Sequence, residues 1–297
     1  LFIFLDSFGD GACALNIGGM DKDGNDEMNE LSRLLLEVEK EMCLAAPIFV
    51  IRTNPNTPED IIDESIDIKL FSIGQPSYYG EMPCRNALIE RGVNPQDVVK
   101  FSVNTCMGLY MAGEESNSAW GCTFNAHLPL ELAIGGGKPI FKELPFEVDN
   151  FDCGNDLNTL LDTYEKYLRV LLGVSLGFNI KNNQNCANNT PSPLLSAITE
   201  GCVEKGLDIT VGSKYNTETV EAFAFANTVD AICAIDTLVF KEKKYTLCEY
   251  INAVKHNFVR FEQVLRDIKS CAKFGTNNKY ADEVAQKLCL IFSRVCK

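Results

Sequence analysis

Along this 297-residue chain, apolar positions recur every three or four residues over long stretches. Between them lie short continuous apolar runs. The first spacing predicts helices and the second predicts buried strands. NELSRLLLEVEKEM (29–42) sets Leu31, Leu34, Leu35 and Val38 on one helical face. TPEDIIDESIDIKLF carries a helix start, with Thr57 as N-cap, Pro58 at the first helical position and acids in the first turn. Asn94 and Pro95 repeat that logic in NPQDVV. DLNTLLDTYEKYLRVLL (156–172) predicts a long amphipathic helix, and TVDAICAIDTLVF and TLCEYINAVKHNF predict more. PIFVIRT (47–53) and VVKFSVNT (98–105) read as strands, with DITVGS (208–213) as a fainter third. Strand alternating with helix predicts an α/β fold with parallel pairing. NIKNNQNCANNTPSP (179–193) breaks the pattern, being rich in Asn and closed by two prolines. It reads as a surface loop and as the candidate lobe boundary within a single domain over 1–297.

Composition narrows the function classes. A formal net charge of −14 repels phosphate backbones, so no nucleic-acid partner is expected. No apolar run approaches the roughly 18 residues that span a bilayer, and no basic amphipathic helix suggests a membrane surface. No signal peptide is visible, and a cytoplasmic location is expected. The 13 cysteines are irregularly spaced, with no Cys-x-x-Cys pair, and His127 and His256 are the only 2 histidines. Close-spaced metal sites are therefore not expected, and reduced thiols are. Asn188-Asn189-Thr190 fits a glycosylation sequon but carries no meaning in a cytosol.

One cysteine stands apart. In VNTCMGLYMAG (103–113), Cys106 falls just past the end of a predicted strand, where parallel α/β folds gather their chemistry. Gly108 and Gly113 suit a thin loop there. Glu114 and Glu115 are candidates to supply a carboxylate, against the expectation that both are solvated loop acids. His127, in FNAHLPLELAI, either orients a substrate carboxylate or makes a structural hydrogen bond on a helix face, and the second is favoured. Arg52 either binds an anion or is a paired structural arginine. Trp120 and Phe124 read as core aromatics before pocket walls, and His256 as a helix-end residue. IGGG (134–137) ends a helix and so is not a phosphate loop. Cys202, in GCVEKG, falls at helical spacing with Leu194, Leu195, Ile198 and Val203, and reads as a core thiol.

Several phrases in order resemble the glycyl radical enzymes of the pyruvate formate-lyase superfamily. NIGGMDKDGNDEMNELS (16–32) resembles that family's Gly-Gly-x-Asp-x-x-Gly-x-Asp…Asn-Glu-Leu segment. PIFVIRTNPNTPEDII, then IGQPSYYGEMPCRNALIERGVNPQDVVKFSVNTCMG, then FNAHLPLELAIGGGKP are similar to the family's next segments in chain order. GCVEKGLDIT, KYNTETVEAFAFANTVDAICAIDTLVF and KFGTNNKYADEVAQKL also match in register. The resemblance implies part of a ten-stranded barrel with surrounding helices, in which Cys106 becomes a thiyl radical and takes hydrogen from a small organic substrate under anaerobic conditions. Gly108, Glu114 and His127 are the candidate substrate-contacting positions. The resemblance implies no bound cofactor and no metal, but a protein glycyl radical supplied by residues or a partner not in this chain. The partners it implies are an S-adenosylmethionine-dependent iron–sulfur activating enzyme and either a separate glycyl-radical subunit or a homodimer.

The sequence departs from the family in three places. Gly108 stands where dehydratases of the family carry glutamate, and Thr105 where pyruvate formate-lyase has a second cysteine. The Arg-Val-x-Gly-Tyr radical loop is not found, LRVLLG (168–173) being the nearest string. The chain runs from Leu1 to SRVCK, which reads as the middle of a longer enzyme. The expected chemistry is therefore lyase-type cleavage or radical addition, inactive without the radical loop. The alternative is a truncated relative that serves as a binding or assembly subunit.

Overall fold

The computed structural model describes residues 14–44, 46–71, 74–104, 108–116 and 122–296. They form two compact units, and the chain passes between these at 119/120, 181/182 and 219/220.

The first unit begins with β1 (Ala14–Gly18), α1 (Glu30–Met42), β2 (Ile48–Thr53), α2 (Glu59–Phe71), β3 (Ser77–Gly80) and α3 (Glu81–Glu90). The three strands form a parallel sheet in that order, with Asn16 opposite Val50 and Val50 opposite Ser77. Alternation along β2 buries both sheet faces. Phe49 and Ile51 pack with Leu36 of α1 and Ile61 and Ile68 of α2. Val50 packs with Cys84, Leu88, Phe101, Val103 and Met111. The expected α/β layout with parallel pairing is present here.

Local details differ from the sequence reading. Helix α1 starts at the Asn29 cap, which accepts the Ser32 N–H at 3.1 Å. It buries Ser32, Leu36 and Glu39, leaving Leu31 and Leu34 62% and 54% exposed. Its apolar stripe is wider than the sheet can cover, and the sheet takes the half with Leu36. Thr57 does not cap α2. Its hydroxyl donates to Asp26 and accepts the Asn54 N–H, both at 2.9 Å. NPQDVV is not an α-helix, because the Asn94 carboxamide accepts the Gln96 N–H at 2.9 Å and forms a turn. A single 3-10 turn comes next at Val98–Lys100, so β4 (Phe101–Val103) is shorter than expected. It pairs antiparallel with β5 (Leu109–Met111), a hairpin and not a parallel crossover.

The stretch 182–219 returns to this unit with short helices at Pro193–Ala197, Cys202–Lys205 and Ile209–Gly212. The third replaces the strand expected in DITVGS, because the Asp208 carboxylate accepts the Thr210 N–H at 3.0 Å and caps a helix. The apolar helix face expected around Cys202 does not form. Gly201, at φ +92, breaks the helix; Cys202 is 1% exposed, while Leu194 and Ile198 are 77% and 70% exposed.

The second unit holds β6 (Cys122–Asn125), α4 (Leu128–Ile134), α5 (Leu157–Asn189) as far as Lys181, β7 (Val220–Phe223), α6 (Phe225–Ile235), α7 (Leu247–Lys255), α8 (Glu262–Ser270) and α9 (Lys279–Val295). Strands β6 and β7 pair in parallel. One apolar core joins Leu130, Leu160, Tyr164, Leu168, Ile232, Leu288 and their neighbours. The loop expected at 179–193 is instead helical as far as Asn189. Buried turns at 160–172 nucleate α5, and each added residue then gains a backbone bond at little cost. The helix stops before Pro191, where the preceding residue is pushed out of the helical region. IGGG ends α4 as expected, with Gly136 and Gly137 at φ +61 and +84. Among the described residues no helix is long and apolar enough to cross a membrane.

Candidate active site

Thr105, Cys106 and Met107 lie outside the described residues. The Asn104 N–H donates to the Gly108 carbonyl at 2.9 Å, and the Asn104 side-chain oxygen accepts the Gly108 N–H at 2.9 Å. Asn104 is buried. A Cβ at Gly108 would come within 3.3 Å of the Asn104 carboxamide and of the Thr219 methyl. Any side chain here, glutamate included, needs both neighbours to give way.

The hairpin is held at its root by side chains. In an antiparallel pair, outward-facing backbone groups alternate with paired ones. Since Asn104 pairs with Gly108, the outward groups belong to Phe101 and Val103. Arg52 Nη1 donates to the Phe101 carbonyl at 2.8 Å, and its guanidinium lies 3.9 Å over the Phe101 ring centre. The Asn16 carboxamide takes both Val103 groups, accepting from N–H at 2.9 Å and donating to C=O at 3.0 Å. The outer edge of β4 is thus paired by two side chains where another strand would otherwise lie.

Arg52 is itself fixed. It grips Glu81 with Nε at 3.0 Å and Nη2 at 2.6 Å, and Arg85 Nε donates to the same carboxylate at 2.8 Å. Arg52 and Arg85 are buried and Glu81 is fully so. Of the two roles open to Arg52, the paired structural one is realised. The Gly-Gly pair makes room for it. A Cβ on Gly18, at φ +70, would lie 2.8 Å from the Arg52 carbonyl. One on Gly19 would lie 3.0 Å from the guanidinium carbon.

Beyond β5, Glu114 and Glu115 are buried at 2% and 6% exposure, which overturns the expectation of solvated acids. Glu114 pairs with Lys100 and, at 3.5 Å, with Lys214, while its Oε2 has no partner. Glu115 pairs with Arg91 at 3.0 Å, accepts the Met111 N–H at 2.9 Å and bonds the Thr217 hydroxyl. Burial is tolerated because each carboxylate meets cations. Glu200 and Asp97, at 2.9 and 3.0 Å, raise the Lys214 ammonium above its ordinary value. Gly108 and Glu114 therefore flank the two ends of β5.

His127 belongs to the second unit. It stands just before α4, not within it, with its N–H on the Asn125 side chain at 2.9 Å and Nδ1 3.5 Å from the Thr228 hydroxyl. Burial pushes its pKa down, so the imidazole is neutral at neutral pH. Phe124 packs against the core with its ring 5.8 Å from that of Phe292 and tilted to it; Trp120 lies outside the described residues. His256 ends α7 with Nδ1 2.8 Å from the Asn252 carbonyl. Burial raises the Cys202 thiol, which favours an inert, protonated form. Among the described residues, no three His, Cys, Asp or Glu side chains gather to hold a metal.

The sequence reading missed Asn16, Glu81 and Asn104. Asn16 carried a faint signal, a carboxamide inside an apolar strand. Glu81 and Arg85 carried another, opposite charges four apart on a helix.

Residues 6–297 match the pyruvate formate lyase-like family. The trans-4-hydroxy-L-proline dehydratase of Clostridioides difficile is 28% identical over 92% of this chain and 35% of its own length. The (2S)-3-sulfopropanediol dehydratase of Klebsiella oxytoca is 28% identical over 93% of this chain and 34% of its own. The crystal structure of the Clostridioides difficile hydroxyproline dehydratase superposes with a TM-score of 0.85 at 25% identity, over 99% of this chain and 38% of that one. The chain thus spans about a third of the length of the curated relatives it matches.

Proposed function

The chain belongs to the pyruvate formate lyase-like family, and from that premise we propose that it is the cysteine-bearing part of a glycyl radical enzyme. The observation that carries this reading is the hairpin bracketing Cys106, rooted through Arg52 and Asn16 in the parallel sheet. Such a rooted, thin hairpin is what a hydrogen-abstracting group needs, because reach to a substrate carbon must be set to a fraction of an ångström.

In this reading the Cys106 sulfur radical takes a hydrogen atom from a C–H bond of a small organic substrate. The S–H bond forms and the C–H bond breaks, leaving the unpaired electron on that carbon; a bond on the adjacent carbon then cleaves, and the radical left by that cleavage takes the hydrogen atom back from the Cys106 S–H, which restores the sulfur radical. A glycyl radical, generated by an S-adenosylmethionine-dependent iron–sulfur activating enzyme, supplies the unpaired electron from a segment or subunit outside this chain. Gly108 leaves the position two residues on without a carboxylate, so any proton transfer needs a group from elsewhere. Glu114 serves to hold the end of β5 through Lys100 and Lys214.

The test is anaerobic activation of the intact polypeptide with such an activating enzyme. It is then assayed on trans-4-hydroxyproline, 3-sulfopropanediol, isethionate and glycerol. A radical signal with consumption of one compound, abolished in Cys106→Ala, is expected. Undiminished consumption in Cys106→Ala removes the assignment. A radical that never forms, with no compound consumed, leaves the chain a binding or assembly subunit.

A further inference from the structure

We infer that the loop following α4 encloses a binding site of its own, which takes a small zwitterion with an apolar body, such as an aromatic α-amino acid. The site lies wholly within the second unit and does not rest on the reading of Cys106.

Residues 136–150 leave the end of α4 and return to it as a closed loop. Gly136 and Gly137 stand where the two ends meet, both at positive φ. A Cβ on Gly136 would lie 3.2 Å from the Asn150 side-chain oxygen, and one on Gly137 would lie 3.0 Å from the Asp149 carbonyl. The buried Tyr167 hydroxyl fixes the returning end, donating to the Asp149 carbonyl at 2.9 Å and accepting the Phe151 N–H at 3.0 Å. Glu131 holds the leaving end, its carboxylate accepting the Ile140 N–H at 2.9 Å. Compact loops closed at the neck in this way recur as functional elements. Between the loop and Lys255, at the end of α7, is a hollow of about 820 Å³. That is room for a small organic ligand. Its apolar wall is Ile140, Leu144, Phe146 and Val148, which pack back against the core, and Phe141, which is 66% exposed. Its charged groups are Lys138, Lys142, Lys255, Glu143 and Glu147, and none of the five forms an ion pair among the described residues. Both signs are thus left uncommitted beside an apolar wall. A simple anion is repelled at a distance by the chain's net charge of −14. A simple cation is drawn in by that field but then meets three ammonium groups against two carboxylates. A zwitterion has no net charge for the long-range field to oppose, and each of its ends finds an opposite charge in the hollow. Phe141 and Phe146 favour a flat aromatic body between those ends.

The probe is L-tryptophan, compared with tryptophanamide, which lacks the carboxylate, and N-acetyltryptophan, which lacks the ammonium. Binding to the intact polypeptide is measured by equilibrium dialysis, and protection of 136–150 by hydrogen exchange. Tryptophan at about 1 mM should bind and slow exchange across the loop, with each analogue about tenfold weaker. In the triple variant Lys138→Gln, Lys142→Gln, Lys255→Gln, tryptophan should weaken to the level of tryptophanamide, whose own affinity should not fall. In the double variant Glu143→Gln, Glu147→Gln, tryptophan should weaken to the level of N-acetyltryptophan. All five side chains are exposed, so these variants keep the fold, and unchanged exchange in α5 and α9 checks that. Lys279→Gln, which breaks a pair with Glu283 on the surface of α9, should leave binding as in the parent. Equal affinity for tryptophan and both analogues, or charge variants that bind as the parent does, would overturn the inference. So would the absence of binding by the intact polypeptide. The readout needs no radical and no turnover, so failure of the Cys106 assignment leaves this result standing.

Discussion

The two units bury their interiors by different means. The second unit is held by one continuous apolar core, against which Phe124, Phe225 and Phe292 pack, with Tyr164 buried inside it. The first unit has two smaller apolar clusters, and its cysteine-bearing part is held by directed polar contacts. Arg52, Glu81 and Arg85 form one clamp, Asn16 a second, and Glu114 with Glu115 a third. Apolar contact is non-directional and tolerates sliding, whereas paired donors and acceptors admit one arrangement. The first unit thus adds to its apolar clusters contacts that fix position, whereas the second relies on contacts that supply bulk stability.

The largest test of that contrast is Glu81→Leu. It leaves two buried guanidinium groups facing each other, which costs about 3–5 kcal/mol. Native-state hydrogen exchange should show lost protection in β2 and β4 while α9 stays as in the parent. Equal loss in both units would break the comparison. Next is Leu288→Ala in the fully buried face of α9. The cavity should cost about 2–5 kcal/mol. Here α5 and α9 should lose protection, with the Val103 amide unmoved.

Glu39 sharpens the contrast from the opposite direction, because it is a polar group without a clamp. It is fully buried in α1 and both side-chain oxygens lack partners. Burial raises its carboxyl above the ordinary value of 4.5, so the folded state keeps the proton longer than the unfolded one. Its stabilising effect is then complete below that value and is lost as the pH rises through the raised folded value. Glu39→Met should raise the protection of α1 at pH 7 by about 1–3 kcal/mol. The gain should shrink at pH 4. An equal gain at both pH values would remove the ionisation argument. The smallest effect is expected at Arg260, which comes after α7 in a left-handed conformation at φ +68. Arg260→Gly should stabilise the local turn by about 1 kcal/mol, read as slower exchange at the end of α7.

Much of the first unit was legible in the sequence. The Asn-Glu-Leu helix start, the buried run of β2 and the small residues after Cys106 all act through neighbours along the chain, whereas the Thr57 cap expected for α2 gave way to bonds with Asp26 and Asn54. The Gly-Gly pair was visible as a motif. Its reason was not, because the group it admits is the Arg52 side chain, which comes to it from β2. Where local signals misled, a competing local bond or the rest of the fold decided. Asp208 turned an apparent strand into a helix by capping it. The buried turns of α5 carried helix through an asparagine-rich stretch that reads as loop. Glu114 and Glu115 look like solvated acids until Lys100, Lys214 and Arg91 are brought to them.

By itself the sequence determined most of the helix and strand segments, where α1 begins, that α4 stops at its glycines, and that Cys106 stands between short apolar runs. Those are consequences of periodicity, capping and backbone freedom, all decided within a few residues. Only the tertiary structure decided that Asn16 answers Val103 across 87 positions and that Arg52 answers Glu81 across 29. A hydrogen-bonding group carries no address in its residue type. Its partner is chosen by whichever groups the packed elements bring to within about 3 Å of it.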